Sequence, residues 1–147
     1  MKFLEAFRKK PKTPKELGEH YFEKATSTTD PYPKKRLLVT ASQYFEEAQD
    51  YDNAIKCLVV GGEEKKARTL SVKICDPTYL RKHSQNKAEI VQTYMGCIIK
   101  CLNENLLGKA TELSKELLDY QKDEFTEGVF LAVNGLQHTN LMDLDRA

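Results

Sequence analysis

Apolar residues recur along the chain at the spacing of buried helix faces, and the clearest run lies between Lys34 and Leu70. Leu38, Ala41, Phe45 and Ala48 stand at offsets 0, 3, 7 and 10, which puts them on one stripe of a helix. Lys34, Lys35, Gln43, Glu46 and Glu47 supply the polar side. Asp50-Tyr51-Asp52 follows, where either aspartate can cap a second helix by accepting backbone N–H bonds. That helix carries Ala54, Ile55, Leu58 and Val59, and Gly61-Gly62 ends it, because glycine adopts the left-handed backbone that a helix stop needs. The link between the two helices is so short that it predicts an antiparallel hairpin.

The same pattern predicts helices on both sides of this hairpin. Thr13-Pro14-Lys15-Glu16 is a helix start, with Thr13 as cap, Pro14 in the first helical position and Glu16 completing a capping box. This helix runs to about Thr26 on Leu17, Tyr21, Phe22 and Ala25, and the prolines of residues 27–33 separate it from the next. Glu63 to Ile74 predicts a helix on Ala67, Leu70 and Ile74, and one short turn is expected around Tyr79 and Leu80. Lys87 to Asn103 is apolar on most sides and predicts a central helix. Leu106, Ala110, Leu113, Leu117 and Tyr120 mark the next stripe, and a last helix from Glu124 to Leu136 is expected to bury Phe125, Val129, Val133 and Leu136.

The run DYDNAIKC, with Phe45, Tyr51, Ala54 and Leu58, resembles the turn and second helix of a tetratricopeptide repeat, a family of helix-hairpin solenoids with a period of about 34 residues. One repeat covers residues 34–70, and a more divergent one covers 88–121 with Ala110 in the role of Ala54. The resemblance implies an all-α fold: six or seven antiparallel helices in stacked hairpins, as a short solenoid or a compact bundle. Residues 13–147 are expected to form one such domain, preceded by a basic amphipathic segment, residues 1–12, with Phe3, Leu4 and Phe7 beside Arg8, Lys9 and Lys10.

Composition and charge narrow the function. The chain has 147 residues, 31% of them charged, with no apolar run near the roughly 20 residues of a membrane helix. No apolar signal-peptide core opens the sequence, and Cys57, Cys75, Cys97 and Cys101 read as buried, reduced thiols, so a cytoplasmic location is expected. Net charge is +1 overall, yet residues 1–36 carry +5 and residues 104–147 carry −5. Cys97 and Cys101, four apart on one helix, are half a zinc site without a matching pair. His20, His83 and His138 are scattered, Asp143 and Asp145 lack a calcium-loop pattern, and no phosphate-binding or nucleophile motif occurs. The expectation is therefore no enzyme, no metal, no cofactor and no small-molecule substrate.

The repeat resemblance implies a protein–protein interaction module, and that is the expected function. The repeat resemblance implies a concave partner face formed by Arg36, Val39, Gln43, Glu46 and Glu47 on the first hairpin, and by Gln92, Met95, Ile99 and Leu102 on the second. The family's carboxylate clamp needs Lys and Asn where this chain has Val39 and Gln43. A second contact is expected at the last helix, where Val129 to Val133 is an unbroken apolar run that points in every direction. There Phe130 is the candidate for binding a partner or a second copy, unless the tail through Leu144 folds over it. The alternative function is binding to nucleic acid or an anionic membrane through the basic first third, with affinity that falls steeply with salt.

Overall fold

A computed structural model describes the backbone of residues 12–146 and the side chains of residues 12–139. The basic segment expected at residues 1–12 lies, but for Lys12, outside the described residues, as do the side chains of Leu141, Met142 and Leu144. The described residues are helical with no strand. They form α1 (Pro14–Thr26), α2 (Pro31–Glu47), α3 (Tyr51–Val60), α4 (Glu64–Ile74), α5 (Thr78–His83), α6 (Lys87–Asn103), α7 (Leu107–Tyr120) and α8 (Glu124–Arg146). Eight helices stand among the described residues where six or seven were expected, since the turn around Tyr79 is the short helix α5. The chain divides into two compact units, residues 1–63 and 64–147.

The first unit is built on α2, which packs against both α1 and α3. Thr13 caps α1 by accepting from the Glu16 N–H at 3.2 Å, and its hydroxyl also hydrogen-bonds the Glu16 carboxylate. Asp30 caps α2 ahead of Pro31, and Asp50 caps α3 by accepting from the Asn53 N–H at 3.3 Å. Leu38, Ala41, Phe45, Ala54 and Ile55 are buried as their spacing predicted. α1 and α2 run in opposite senses, because Gly18 near the start of one faces Phe45 near the end of the other. A Cβ on Gly18 would stand 2.9 Å from three atoms of that ring. Tyr21 and Tyr44 stack at 5.5 Å along the same seam. α3 returns beside α2, with Gly61 against Leu38.

The second unit is built on α6. α4 lies parallel to it: Arg68 pairs with Glu89 at 3.1 Å and also hydrogen-bonds Gln92, while further along the Lys100 ammonium donates to the Val72 and Lys73 carbonyls at 3.3 and 2.7 Å. Between these clasps the helices touch at Gly96, where a Cβ would stand 2.8 Å from Val72 Cγ2. α7 covers another side of α6, and α8 packs on α7. Ile90, Tyr94, Ile98, Cys101, Leu113, Leu117 and Val133 form the core between them. The buried Tyr94 hydroxyl accepts from Arg81 at 3.3 Å and donates to Glu116 at 3.4 Å, and the Arg81 guanidinium lies over the Tyr120 ring. That chain of contacts ties α5 to α6 and α7. Burial raises the Tyr94 pKa, which keeps the donating hydroxyl protonated.

Four helices end the same way. Gln49, Gly62, Cys75 and Asn105 have φ of 59°, 75°, 55° and 60°. The following N–H groups of Asp50, Glu63, Asp76 and Leu106 each bond the carbonyl five residues back, satisfying an orphan helix-end acceptor.

The small residues at these helix contacts set a test. Gly18→Ala, Gly96→Ala and Ala54→Leu should each overpack a seam, at about 1–3 kcal/mol. For the two glycines this outweighs the ~1 kcal/mol gained by replacing a helical glycine, because the obstructing Phe45 ring and Val72 methyl are held by the neighbouring helix. Urea denaturation should show a lower midpoint for all three.

Candidate interaction surface

α8 is set on the second unit by its first turn. Thr126 is fully buried, and its hydroxyl donates to the Gln121 carbonyl at 2.6 Å while accepting from the Asp123 N–H at 3.0 Å. Asp123 accepts in return from the Thr126 N–H at 2.9 Å and from the Gln121 side-chain amide at 2.8 Å. These bonds, the Thr126 N–H first, lower the Asp123 pKa. With Thr126 locked inward, the residue two turns on, Val133, is buried, and Val129 packs beside it.

That rotation corrects the expected stripe. Phe125 and Leu136 were expected to be core and are instead 56% and 52% exposed, and Leu131 is 67% exposed. The reason is that Thr126, a polar residue, takes the inward position that periodicity assigned to Phe125. Phe130, expected as the contact residue, is half-buried. Leu106, read as the first residue of the α7 stripe, is exposed ahead of that helix.

The outward side of α8 is consequently an apolar strip. Phe125, Gly128, Ala132 and Leu136 follow one another at three- and four-residue steps, with Leu131 and Gly135 along one edge. An added Cβ at Gly128 or Gly135 would meet nothing within 4 Å. The helix continues unbroken to Arg146, rather than ending near Leu136 with a folded final turn. At 1.5 Å rise per residue, residues 137–146 carry the chain away from this strip, so the tail does not fold back over it.

The residues implied by the repeat resemblance are placed as follows. Arg36, Gln43 and Glu47 are exposed on the side of α2 opposite Leu38 and Phe45, with the half-exposed Val39 and Glu46 beside them. Arg36 also lines an open hollow of about 410 Å³ with Lys24, Thr28, Pro33, Leu37 and Thr40. On α6, Gln92 accepts from Arg68, Met95 and Leu102 pack against the core, and Ile99 is 51% exposed. Three of these four α6 residues are thus engaged with the unit itself.

Chemistry-bearing groups are dispersed. Among the described residues no group of three or more His, Cys, Asp or Glu side chains is arranged to hold a metal ion. His20 is exposed and meets the Tyr21 ring edge-on. The four cysteines are free and buried, and burial pushes the Cys57 and Cys97 thiols up to about 12. Both are therefore held as thiols at neutral pH. No helix among the described residues is long and apolar enough to cross a membrane. No family model, curated protein or solved structure matches this chain.

Two outcomes check this geometry. Because the folded-state pKa of Asp123 lies below its ordinary value of 3.8, its contribution to holding α8 is present above that value and is lost as pH falls through the depressed one. Amide exchange at Thr126 should accelerate over that acidic window, and Asp123→Asn should blunt the change. Gly128→Ala and Gly135→Ala should each raise stability, by up to about 1 kcal/mol, since both sites are helical and unobstructed. A lowered urea midpoint for either would show that the strip is covered within the chain.

Proposed function

We propose that this chain is a non-catalytic protein–protein interaction module of the tetratricopeptide-like helical-repeat kind, built of stacked antiparallel hairpins, and that α8 presents its principal contact to a helix of a partner protein. One observation carries the proposal: Phe125, Leu131 and Leu136, three large apolar side chains on one helix, are each more than half exposed. Single exposed apolar residues are ordinary, whereas a contiguous apolar strip marks a contact surface. The shape of the strip favours a helical partner. Gly128, Ala132 and Gly135 remove side chains from its middle, so a second helix can lie close, with Phe125, Leu131 and Leu136 as anchors around it.

Two helical glycines on an open face cost stability, and among the described residues a Cβ at either would meet nothing within 4 Å. A close-lying partner helix gives them a use. The hairpin reading is supported by the buried Ala54, by the opposed senses of α1 with α2 and α2 with α3, and by the parallel course of α4 and α6. The exposed side of α2, with Arg36, Gln43 and Glu47, is proposed as a second, polar contact. A cytoplasmic setting and the absence of a small-molecule substrate belong to the same proposal.

The test is capture of partners by the whole chain at two salt concentrations, with and without nuclease, beside sedimentation of the protein alone. Leu131→Glu should abolish protein capture by at least tenfold while circular dichroism shows unchanged helicity, and Gly128→Ala should weaken capture although it stabilises the fold. Capture that is unaffected by Leu131→Glu, or that is lost with nuclease, would overturn the proposal in favour of the basic first third. Self-association abolished by Leu131→Glu would identify the occupant as a second copy of this chain.

A further inference from the structure

The second unit holds a pair of thiols that meet inside its core. Cys75 ends α4 and Cys101 lies on α6, and their Sγ atoms are 3.1 Å apart. Both are buried, Cys75 at 8% exposure and Cys101 at zero. The third cysteine nearby is engaged elsewhere: the Cys97 thiol donates to the Ser71 carbonyl at 3.7 Å. Cys75 is further fixed by a contact from its own thiol to the Cys97 carbonyl at 3.6 Å.

The backbone brings this pair together at a cost. Cys75 sits at φ 55°, in the left-handed region where glycine is at ease and a side chain is strained. At the equivalent stop of α3 the chain uses Gly62. The side chain at position 75 meets Cys101. A disulfide needs the two sulfurs at about 2.05 Å, so closure from the observed contact requires them to approach by about 1 Å.

We propose that Cys75 and Cys101 are a modification site at which a peroxide converts two thiols into a reversible disulfide. Cys75, the more exposed of the two, attacks one peroxide oxygen. The O–O bond breaks, the thiol proton leaves with the departing oxygen as water, and Cys75 becomes a sulfenic acid. Cys101 then attacks that sulfur, the S–O bond breaks, and the hydroxyl leaves as water with the Cys101 proton. Two thiols are oxidised by two electrons and one peroxide is reduced to two waters. Burial, with the contact to Cys75, raises the Cys101 pKa, so the second step is slow at neutral pH and quickens as pH rises. The resulting bond ties the end of α4 to α6 and closes the loop that carries α5.

The experiment treats the whole protein with hydrogen peroxide, quenches it with an alkylating reagent in denaturant, and maps the peptides by mass. The expected product lacks two hydrogen atoms, links the peptides of Cys75 and Cys101, leaves Cys57 and Cys97 alkylated, and reverts with dithiothreitol. Its thermal midpoint should rise, because the cross-link restricts the unfolded chain. Cys75→Ser and Cys101→Ser should each abolish the product, while Cys97→Ser and Cys57→Ser retain it. A product joining Cys97 to Cys101, an intermolecular cross-link only, or oxidation of Cys75 to sulfinic acid with Cys101 still alkylated would each overturn the proposal. The wild-type peptide map decides the matter even where a serine variant fails to fold.

Discussion

Among the described residues, helices of both units meet at positions where a side chain is missing or small, and both units depend on that constraint. Gly18 lets the Phe45 ring lie against α1, and Gly96 admits Val72 to the backbone of α6. Ala41, Ala54, Ala67 and Ala110 are all fully buried. Buried Ser42, Ser71, Thr93 and Ser114 extend the same device. Each hydroxyl donates to a carbonyl three or four residues back on its own helix, so a polar residue is satisfied locally and presents only a small surface to its neighbour. Larger side chains then fill the space around these contacts, as in any close-packed interior.

The second constraint is where each helix stops. Left-handed residues at 49, 62 and 75 fall thirteen residues apart, and each is followed by the same backbone bond to a carbonyl five residues back. Two short helices and their links therefore repeat with one length, and the regularity lies in the backbone rather than in side-chain identity. Gln, Gly and Cys occupy the three positions. Only the glycine is conformationally suited to its place. At Gln49 the following Asp50 also caps α3, so helix stop and helix start share two adjacent residues and the link stays short.

Much of this was legible in the sequence. The α6 bounds, the Thr13 cap, the stop at Gly61-Gly62 and the core positions Leu38, Ala41, Phe45, Ala54, Ile55 and Leu58 follow from periodicity and capping chemistry, while the choice of Asp50 over Asp52 as cap does not. The left-handed stops at Gln49 and Cys75 were not legible, because neither residue type announces that conformation. The rotation of α8 was illegible for a different reason. Its apolar residues lie on most sides, so spacing alone could not choose which side faces the core, and a capping threonine made the choice. On α6 Gln92 stays exposed, and the bond it accepts from Arg68, a residue distant in sequence, has no local signature. The thiol contact between Cys75 and Cys101 joins two helices and has no local signature at all.

Glycine plays two opposite parts in these helices, and its surroundings decide which. At Gly18 and Gly96 the space a Cβ would need is already taken by a neighbouring side chain. The glycine there is a packing residue, and its cost to helix propensity is offset inside the unit. At Gly128 and Gly135 the same cost is incurred, and the space remains open. The strip they interrupt also carries Phe125, Leu131 and Leu136 in solvent, and α8 runs straight past it to Arg146. A helix that buries one side through Thr126 and Val133 and leaves an apolar, glycine-notched side outward has the shape of a seam with one half present. The proposed partner helix would fill the notches with its side chains, as Phe45 and Val72 do at Gly18 and Gly96.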